Sequence, residues 1–306
     1  MVKNRKVFGN LAIFLLPMLY GGYYTATKFA LLDIPIFWIN VFRLLIAVIL
    51  LSPYARRLRH VSRRLLLENI LIAAAFFIGI ISQAAALTVS TAGDIGFLAA
   101  LFIFFTPLIK KVLFKDKISW WFALPIAVSL LGYIIMFSNG SGFADFELRI
   151  GMGEILGIVG ALAIAFHMVL TERFIKENDP ILFTQLQILI ALLFSLAFAL
   201  IFDPLPNFAQ ISWLSWGSIL YLAIFATVCT FLLQNWGQKI VPALSASLII
   251  ALEPIFAVLI GALLNDEEIT INIVIGGVCI FLASIGAILI QNRKQREKIL
   301  IETECE

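Results

Sequence analysis

Apolar runs of about twenty residues, separated by short polar or basic segments, follow one another along the whole of this 306-residue chain. At ~1.5 Å rise per residue, a helix of that length crosses the roughly 30 Å hydrocarbon core of a bilayer. The alternating strands of about ten residues that would close a membrane barrel are absent, so each run is expected to be a transmembrane helix. Composition agrees, with 62% hydrophobic and 13% charged residues, against about 25% charged in a soluble domain. Such a chain has no soluble surface.

Ten spans are expected, near residues 8–32, 35–55, 66–87, 92–113, 119–137, 151–171, 180–202, 212–233, 240–263 and 271–291. Pro35, Pro180 and Pro242 stand at or near helix starts, where a missing N–H costs nothing, and Ser119 and Ser212 are candidate N-caps. Pro17, Pro107, Pro125 and Pro254 fall inside spans and are expected to bend them, with Pro107 and Pro254 the candidate kink and gating positions. With the N-terminus in the cytoplasm, 19 of the 22 basic residues fall on the cytoplasmic side, including the blocks Arg56, Arg57, Arg59, Arg63, Arg64 and Lys110, Lys111, Lys115, Lys117. Arg149 falls outside, as do acidic Asp33, Asp203 and Asp266 to Glu268, while Lys28 and Arg43 lie within spans. An excess of basic residues in the cytoplasmic loops orients a membrane protein, so both termini are expected in the cytoplasm, which requires an even number of spans. The basic, then apolar start looks like a signal peptide, but the apolar run continues to Leu32 without a small-residue cleavage site, so a retained first helix is expected.

The two halves lie over each other. LDIPIFWINVFRLLIA at 32–47 faces NDPILFTQLQILIA at 178–191, with Pro35 opposite Pro180 and Lys28 opposite Arg173. FTPLIKKVLFKDKIS at 105–119 faces LEPIFAVLIGALLNDEEIT at 252–270, with Pro107 opposite Pro254. Five spans per half is an odd number, so the second half enters the membrane upside down, an inverted repeat. The expected fold is therefore an all-α membrane protein of ten transmembrane helices in two inverted five-helix repeats. The repeats span 1–139 and 151–292, with a periplasmic linker at 140–150 and a cytoplasmic tail at 293–306.

Six pieces, in order and spacing, carry a resemblance. They are GGYYTATK at 21–28, FRLLIA at 42–47, QAAALTVSTAGDIGFLAALFIFFTP at 83–107, QNWGQKIVP at 234–242, LEPIFA at 252–257 and DEEIT at 266–270. The chain so resembles the EamA family of the drug/metabolite transporter superfamily. The resemblance implies a central cavity formed mainly by spans 1, 3, 4, 6, 8 and 9 and movement of small metabolites such as amino acids, amines or nucleotide-related compounds. The sequence departs from the family pattern at Tyr20, where a tryptophan is usual, and at the short, basic end of span 4.

Several intramembrane polar residues are candidates for substrate binding. Arg43 lies about 12 Å below the outer boundary and Glu253 about 18 Å above the inner one, so the two charges sit at nearly one depth. A charge near the bilayer centre costs at least about 2.5 kcal/mol and needs a partner or water. Arg43 would hold a substrate carboxylate, and Glu253 an amine or a coupling proton; the alternative is a static pair. Tyr20, Tyr24 and Lys28 are spaced by four on one face of span 1, although the Lys28 stem could equally snorkel to the headgroups. Gln83, Gln234, Asn235 and Trp236 would bind substrate or join helices. His167 is read as a helix–helix hydrogen bond, and Ser82, Thr88, Thr106 and Ser247 as bonded to their own helices.

The expected function is a secondary transporter working by alternating access, whose partners are a small molecule and the lipid bilayer of the inner (plasma) membrane; a homodimer is left open. The alternatives are a membrane-embedded enzyme and a sensor or scaffold. There is no HExxH, GxSxG or Cys/His cluster, and no GxxxxGK[ST] stretch of an ATP-driven pump. No cofactor or metal is called for. The three cysteines, Cys229, Cys279 and Cys305, have no metal or disulfide spacing, and the scattered basic blocks give no support for nucleic-acid binding.

Overall fold

The computed structural model describes residues 2–90, 92–116, 118–137, 151–265 and 269–304. The expected linker at 140–150, with Arg149, and the acidic run Asp266 to Glu268 lie outside the described residues, as does the side chain of Asp94. Every regular element among the described residues is helical: α1 Val2–Tyr20, α2 Tyr23–Ala30, α3 Ile36–Leu51, α4 Arg63–Leu87, α5 Ala92–Ala99, α6 Phe102–Phe114, α7 Ala123–Phe137, α8 Met152–Phe174, α9 Pro180–Phe202, α10 Trp213–Ala223, α11 Thr230–Gln238, α12 Ala243–Ile250, α13 Glu253–Asn265 and α14 Ile271–Glu304. A π-helical turn, Ile224–Cys229, joins α10 to α11.

Among the described residues, eight helical stretches are long and apolar enough to cross a membrane: Val7–Ala30, Ile36–Arg59, Arg63–Leu87, Met152–Glu177, Pro180–Phe202, Trp213–Gln238, Ala243–Ile260 and Ile271–Arg293. Two of the ten expected spans differ from these. Trp120–Ile135 is apolar but shorter, and the run from α5 to α6 is interrupted by a turn at Ala100 and Leu101. The exposed surface is correspondingly apolar, with Leu200, Ile201 and Phe202 of α9 and Val278, Leu282 and Leu289 of α14 all exposed. This is the surface that lipid satisfies and water does not.

Local chemistry sets several helix ends. Pro180 opens α9 behind Asp179, whose carboxylate accepts the Leu182 N–H at 3.1 Å. Ser212 caps α10 by accepting the Ser215 N–H at 3.2 Å, and Ser62 caps α4 through the Leu65 N–H at 3.1 Å. Ser119 makes no capping bond; it precedes only a short 3-10 turn, Trp120–Phe122, whose first N–H groups it does not reach.

Besides a small apolar cluster of Leu65, Ile72, Ile175, Leu182, Phe183 and Leu186, the described interior divides into two large ones. One gathers α2, α3, α4, α9 and the span of α10 and α11, with Ile39, Ile80, Ile188 and Phe231 buried. The other gathers α1, α6, α7, α8, α12 and α14, with Ile13, Ile103, Met168 and Ile280 buried. Tyr20 and Ile164 pack against both. The border between clusters follows helix interruptions. Ile13 and Leu16 of α1 belong to the second and Tyr23 of α2 to the first, while Ala99 and Ala100 fall on opposite sides.

Both ends of the bundle are tied by polar bonds. At the end carrying the basic blocks, Glu172 accepts from Lys110 Nζ at 2.6 Å and from the Ala243 N–H that opens α12 at 2.9 Å. Arg57 pairs with Asp179, and Lys239 Nζ donates to the Asn178 carbonyl at 2.7 Å. At the opposite end, Asp33 accepts from the Ser212 N–H at 3.0 Å and from the Ser215 hydroxyl at 2.6 Å. Asp203 there accepts the Phe37 N–H at 2.8 Å.

Candidate functional site

The helix interruptions converge on the middle of the bundle. The first span breaks at Gly21 and Gly22, the fourth at Ala100 and Leu101, and the ninth at Ala251 and Leu252. At the first break the Tyr221 hydroxyl accepts the Gly22 N–H at 3.1 Å and donates to the Leu19 carbonyl at 2.8 Å, so a side chain from α10 satisfies the opened backbone. No larger residue fits here. A Cβ on Gly22 would stand 2.7 Å from the Tyr221 oxygen, and one on Gly21 would stand 2.8 Å from the Phe256 Cβ and 3.0 Å from its backbone. The ninth-span break is closed in part by the Tyr133 hydroxyl, which donates to the Ala251 carbonyl at 2.6 Å.

The prolines sit differently from expectation. Pro254 is the second residue of α13, a first-turn place where its missing N–H breaks nothing, and the interruption precedes it. Pro107 lies inside α6, six residues beyond the fourth-span break. Neither marks a break itself, and the two do not occupy equivalent places in their spans.

Between the two apolar clusters lies a cavity of about 70 Å³, with room for a handful of waters at ~15 Å³ each. Tyr20, Tyr23 and Tyr24 line it from the first span and Arg43 from α3. Phe76, Ile80 and Gln83 come from α4, Ala99 and Phe102 from the fourth-span break, and Ile164, His167 and Met168 from α8. Ala226 and Gln234 come from the eighth span, and Ile250 and Glu253 from either side of the ninth-span break. The spans expected to form the cavity do so, and α3 joins them through Arg43.

The charges are held without being paired. Arg43 is 1% exposed, with its guanidinium 5.7 Å from the Tyr23 ring centre and 5.6 Å from that of Phe76. Those faces are attractive to a cation but are not hydrogen-bond acceptors of full strength, and the Arg43 Nε has no partner. Glu253 forms no ion pair, whereas Lys110 pairs with Glu172 and Asp116, Arg57 with Asp179 and Arg64 with Glu68. Arg43 and Glu253 line the cavity together with Tyr20 and Tyr23, and the Tyr23 hydroxyl is a hydrogen-bond partner of Arg43. The static Arg43–Glu253 pair considered from the sequence is not formed.

Of nine residues expected to bind substrate, Tyr20, Tyr24, Arg43, Gln83, Gln234 and Glu253 line this cavity. Three do not. Lys28 is exposed one turn beyond Tyr24, in keeping with snorkelling, and Trp236 is 43% exposed. Asn235 is buried but points at α9, where it donates to the Thr184 hydroxyl at 2.7 Å and to Gln187 Oε1 at 2.9 Å. Its work is to join helices. Thr106 and Ser247 donate to carbonyls of their own helices at 2.7 and 2.9 Å, as expected. His167 is the residue the sequence missed: instead of bonding another helix, its Nε2 is buried without a partner while the ring lines the cavity.

A bundle of long apolar helices around a largely apolar cavity that holds two charges without an ion pair defines a multi-pass membrane protein. The EamA-like transporter family model matches residues 7–138 and 151–289, and the chain belongs to that family. A protein of Archaeoglobus fulgidus described as an uncharacterized transporter is 24% identical over 281 residues, 92% of this chain and 86% of that protein. The uncharacterized transporter YyaM of Bacillus subtilis is 25% identical over 60% of this chain and 59% of its own length. An uncharacterized transporter of Synechocystis, sll1319, is 28% identical over 60% of this chain and 54% of its length. One crystal structure superposes with a TM-score of 0.74 over 95% of this chain and 98% of its own at 17% identity, a likeness of fold.

Proposed function

We propose that this chain is a secondary transporter of the inner (plasma) membrane that carries small polar metabolites, amino acids or amines, by alternating access about the central cavity. The observation that carries the reading is the pair Arg43 and Glu253, opposite charges facing one enclosed space without closing on each other. Unpaired intramembrane charges are costly, and they persist where a ligand or water completes them. Arg43 takes an anionic group of the substrate and Glu253 an ammonium or a coupling proton, with Tyr20, Tyr24, Gln83 and Gln234 lining the space between.

The architecture in this reading is two inverted repeats, 1–139 and 151–292, with both termini in the cytoplasm. The eight long spans, the shorter Trp120–Ile135 and the interrupted run from α5 to α6 together make ten, the even number that cytoplasmic termini require. Alternating access needs two packed bodies that move about a site between them. The two apolar clusters supply the bodies, and the interruptions at Gly21–Gly22 and Ala100–Leu101 fall where the chain passes from one to the other.

Counterflow in proteoliposomes tests this with labelled amino acids, amines and nucleosides, comparing wild type with Arg43→Ala and Glu253→Gln. The expected result is saturable exchange of one class, lost in either variant. Exchange of no class by folded protein, or exchange untouched by both substitutions, overturns the reading.

A further inference from the structure

We propose that His167 is the specificity-determining residue of this cavity, and that together with Arg43 it holds the anionic group of a substrate carrying both a carboxylate and an ammonium. This rests on reading the cavity as the substrate site. His167 is 4% exposed and Arg43 1%. Both residues line the cavity, and each has a buried nitrogen without a hydrogen-bond partner, Nε2 of His167 and Nε of Arg43. Buried polar nitrogens in folded proteins are almost always satisfied, so a small turn of the two side chains into the cavity, with His167 in its Nε2–H tautomer, would bring both to a common acceptor there.

Phe76 brings the two together. Its ring lies 5.6 Å from the Arg43 guanidinium carbon and 5.5 Å, centre to centre, from the His167 imidazole. Phe231 packs on both aromatic neighbours, 5.5 Å from His167 and 4.7 Å from Phe76. A carboxylate accepts hydrogen bonds at two oxygens and about four lone-pair sites, enough for Arg43 and for His167 in its Nε2–H tautomer at once. Glu253 supplies the opposite pole for the ammonium. An amine without the acid would satisfy Glu253 and leave both donors bare, and a site with bare buried donors rejects such an analogue strongly. His167 therefore selects the acid over the amine. The small cavity favours a short carbon frame between the two charged ends.

The test compares L-alanine, L-leucine and L-phenylalanine with ethylamine, 3-methylbutylamine and 2-phenylethylamine, which keep the ammonium and side chain but lack the acid. Half-saturation is read from proteoliposome counterflow for wild type, His167→Phe and His167→Gln. His167→Phe keeps a ring against Phe76 and Phe231 and removes only the nitrogens; His167→Gln restores a donor. The expected result is that wild type prefers the acid. His167→Phe should weaken the acid roughly tenfold or more while changing the amine less than about twofold, and His167→Gln should recover part of the loss. Equal weakening of acid and amine, or no change in the acid, overturns the assignment to His167 while leaving the cavity as the site. Silence of folded wild type toward every probe overturns the cavity reading and this inference with it.

Discussion

The central cavity and the polar layer on its basic-block side are built from the same kinds of side chain, yet the charges of the layer close on one another and those of the cavity do not. In the layer, Asn235 bonds Thr184 and Gln187, and Gln238 donates to the Met168 carbonyl at 3.2 Å. Lys110 closes on Glu172, which also takes the first N–H of α12. In the cavity, Arg43 Nε and His167 Nε2 have no partner and Glu253 has no ion pair. Residue type and burial do not separate the two regions; closure of opposite charges does. In the proposed reading, the charges left apart in the cavity are completed by a substrate that comes and goes.

Four measurements on purified protein sharpen or break that contrast, ordered by their expected effect on stability. Glu172→Ala should lower the unfolding free energy most, by about 2 kcal/mol or more, because it leaves the mostly buried Lys110 ammonium only its 3.6 Å contact with Asp116 and uncaps α12. Adding Lys110→Met should recover much of the loss in the same thermal melt; a single variant as stable as wild type would break the contrast. Asn235→Leu should cost about 1 kcal/mol, the usual worth of an interhelical hydrogen bond in a membrane protein, and leave counterflow half-saturation unchanged.

Glu253→Gln should melt within about 0.5 kcal/mol of wild type, or above it, because it removes an unpaired charge near the bilayer centre, while counterflow falls at least about tenfold. A large destabilisation instead would make Glu253 a structural partner like Glu172. Asp33→Asn should have the smallest effect, and its sign is fixed by pH. The Ser212 hydroxyl first, then Ser215 and the Ser212 N–H, hold the Asp33 carboxyl below its usual value of 3.8. A depressed folded value contributes stability above pH 3.8 that is lost as pH falls through the folded value. The small deficit of Asp33→Asn in thermal melts should therefore be present at pH 6 and fade as pH falls below 3.8 and on through the folded value.

The spans could be read from sequence because their signal, the length of an apolar run, is one-dimensional, as is the charge in the loops. Depth is also one-dimensional, and it brought Arg43 and Glu253 to one level. Facing is not. Lys28, Trp236 and Asn235 were polar and near the right depth, but only packing decides that they turn to lipid or to α9. His167 is read from the sequence as a helix–helix hydrogen bond, and its missing partner shows only once every neighbour is in place. The first-span break had a signal in its paired glycines. The fourth-span break at Ala100 and Leu101 had none, and the prolines that drew attention lie after the breaks.

The π-helical turn Ile224–Cys229 has a consequence for length. Ser215, Ile219, Ala223, Thr227, Phe231 and Asn235 are all buried, a strict spacing of four. In an unbroken α-helix each residue advances about 100°, so a spacing of four drifts roughly 40° per turn and this stripe would wind some 200° from end to end. One surplus residue in the wide turn takes back about 100° of that, and the Thr227 hydroxyl, donating to the Leu222 carbonyl at 2.7 Å, satisfies an oxygen there. The eighth span thus carries information as rotational phase. Losing a single residue from the turn would rotate Gln234 out of the cavity and Asn235 away from Thr184 together, with no side chain altered in kind.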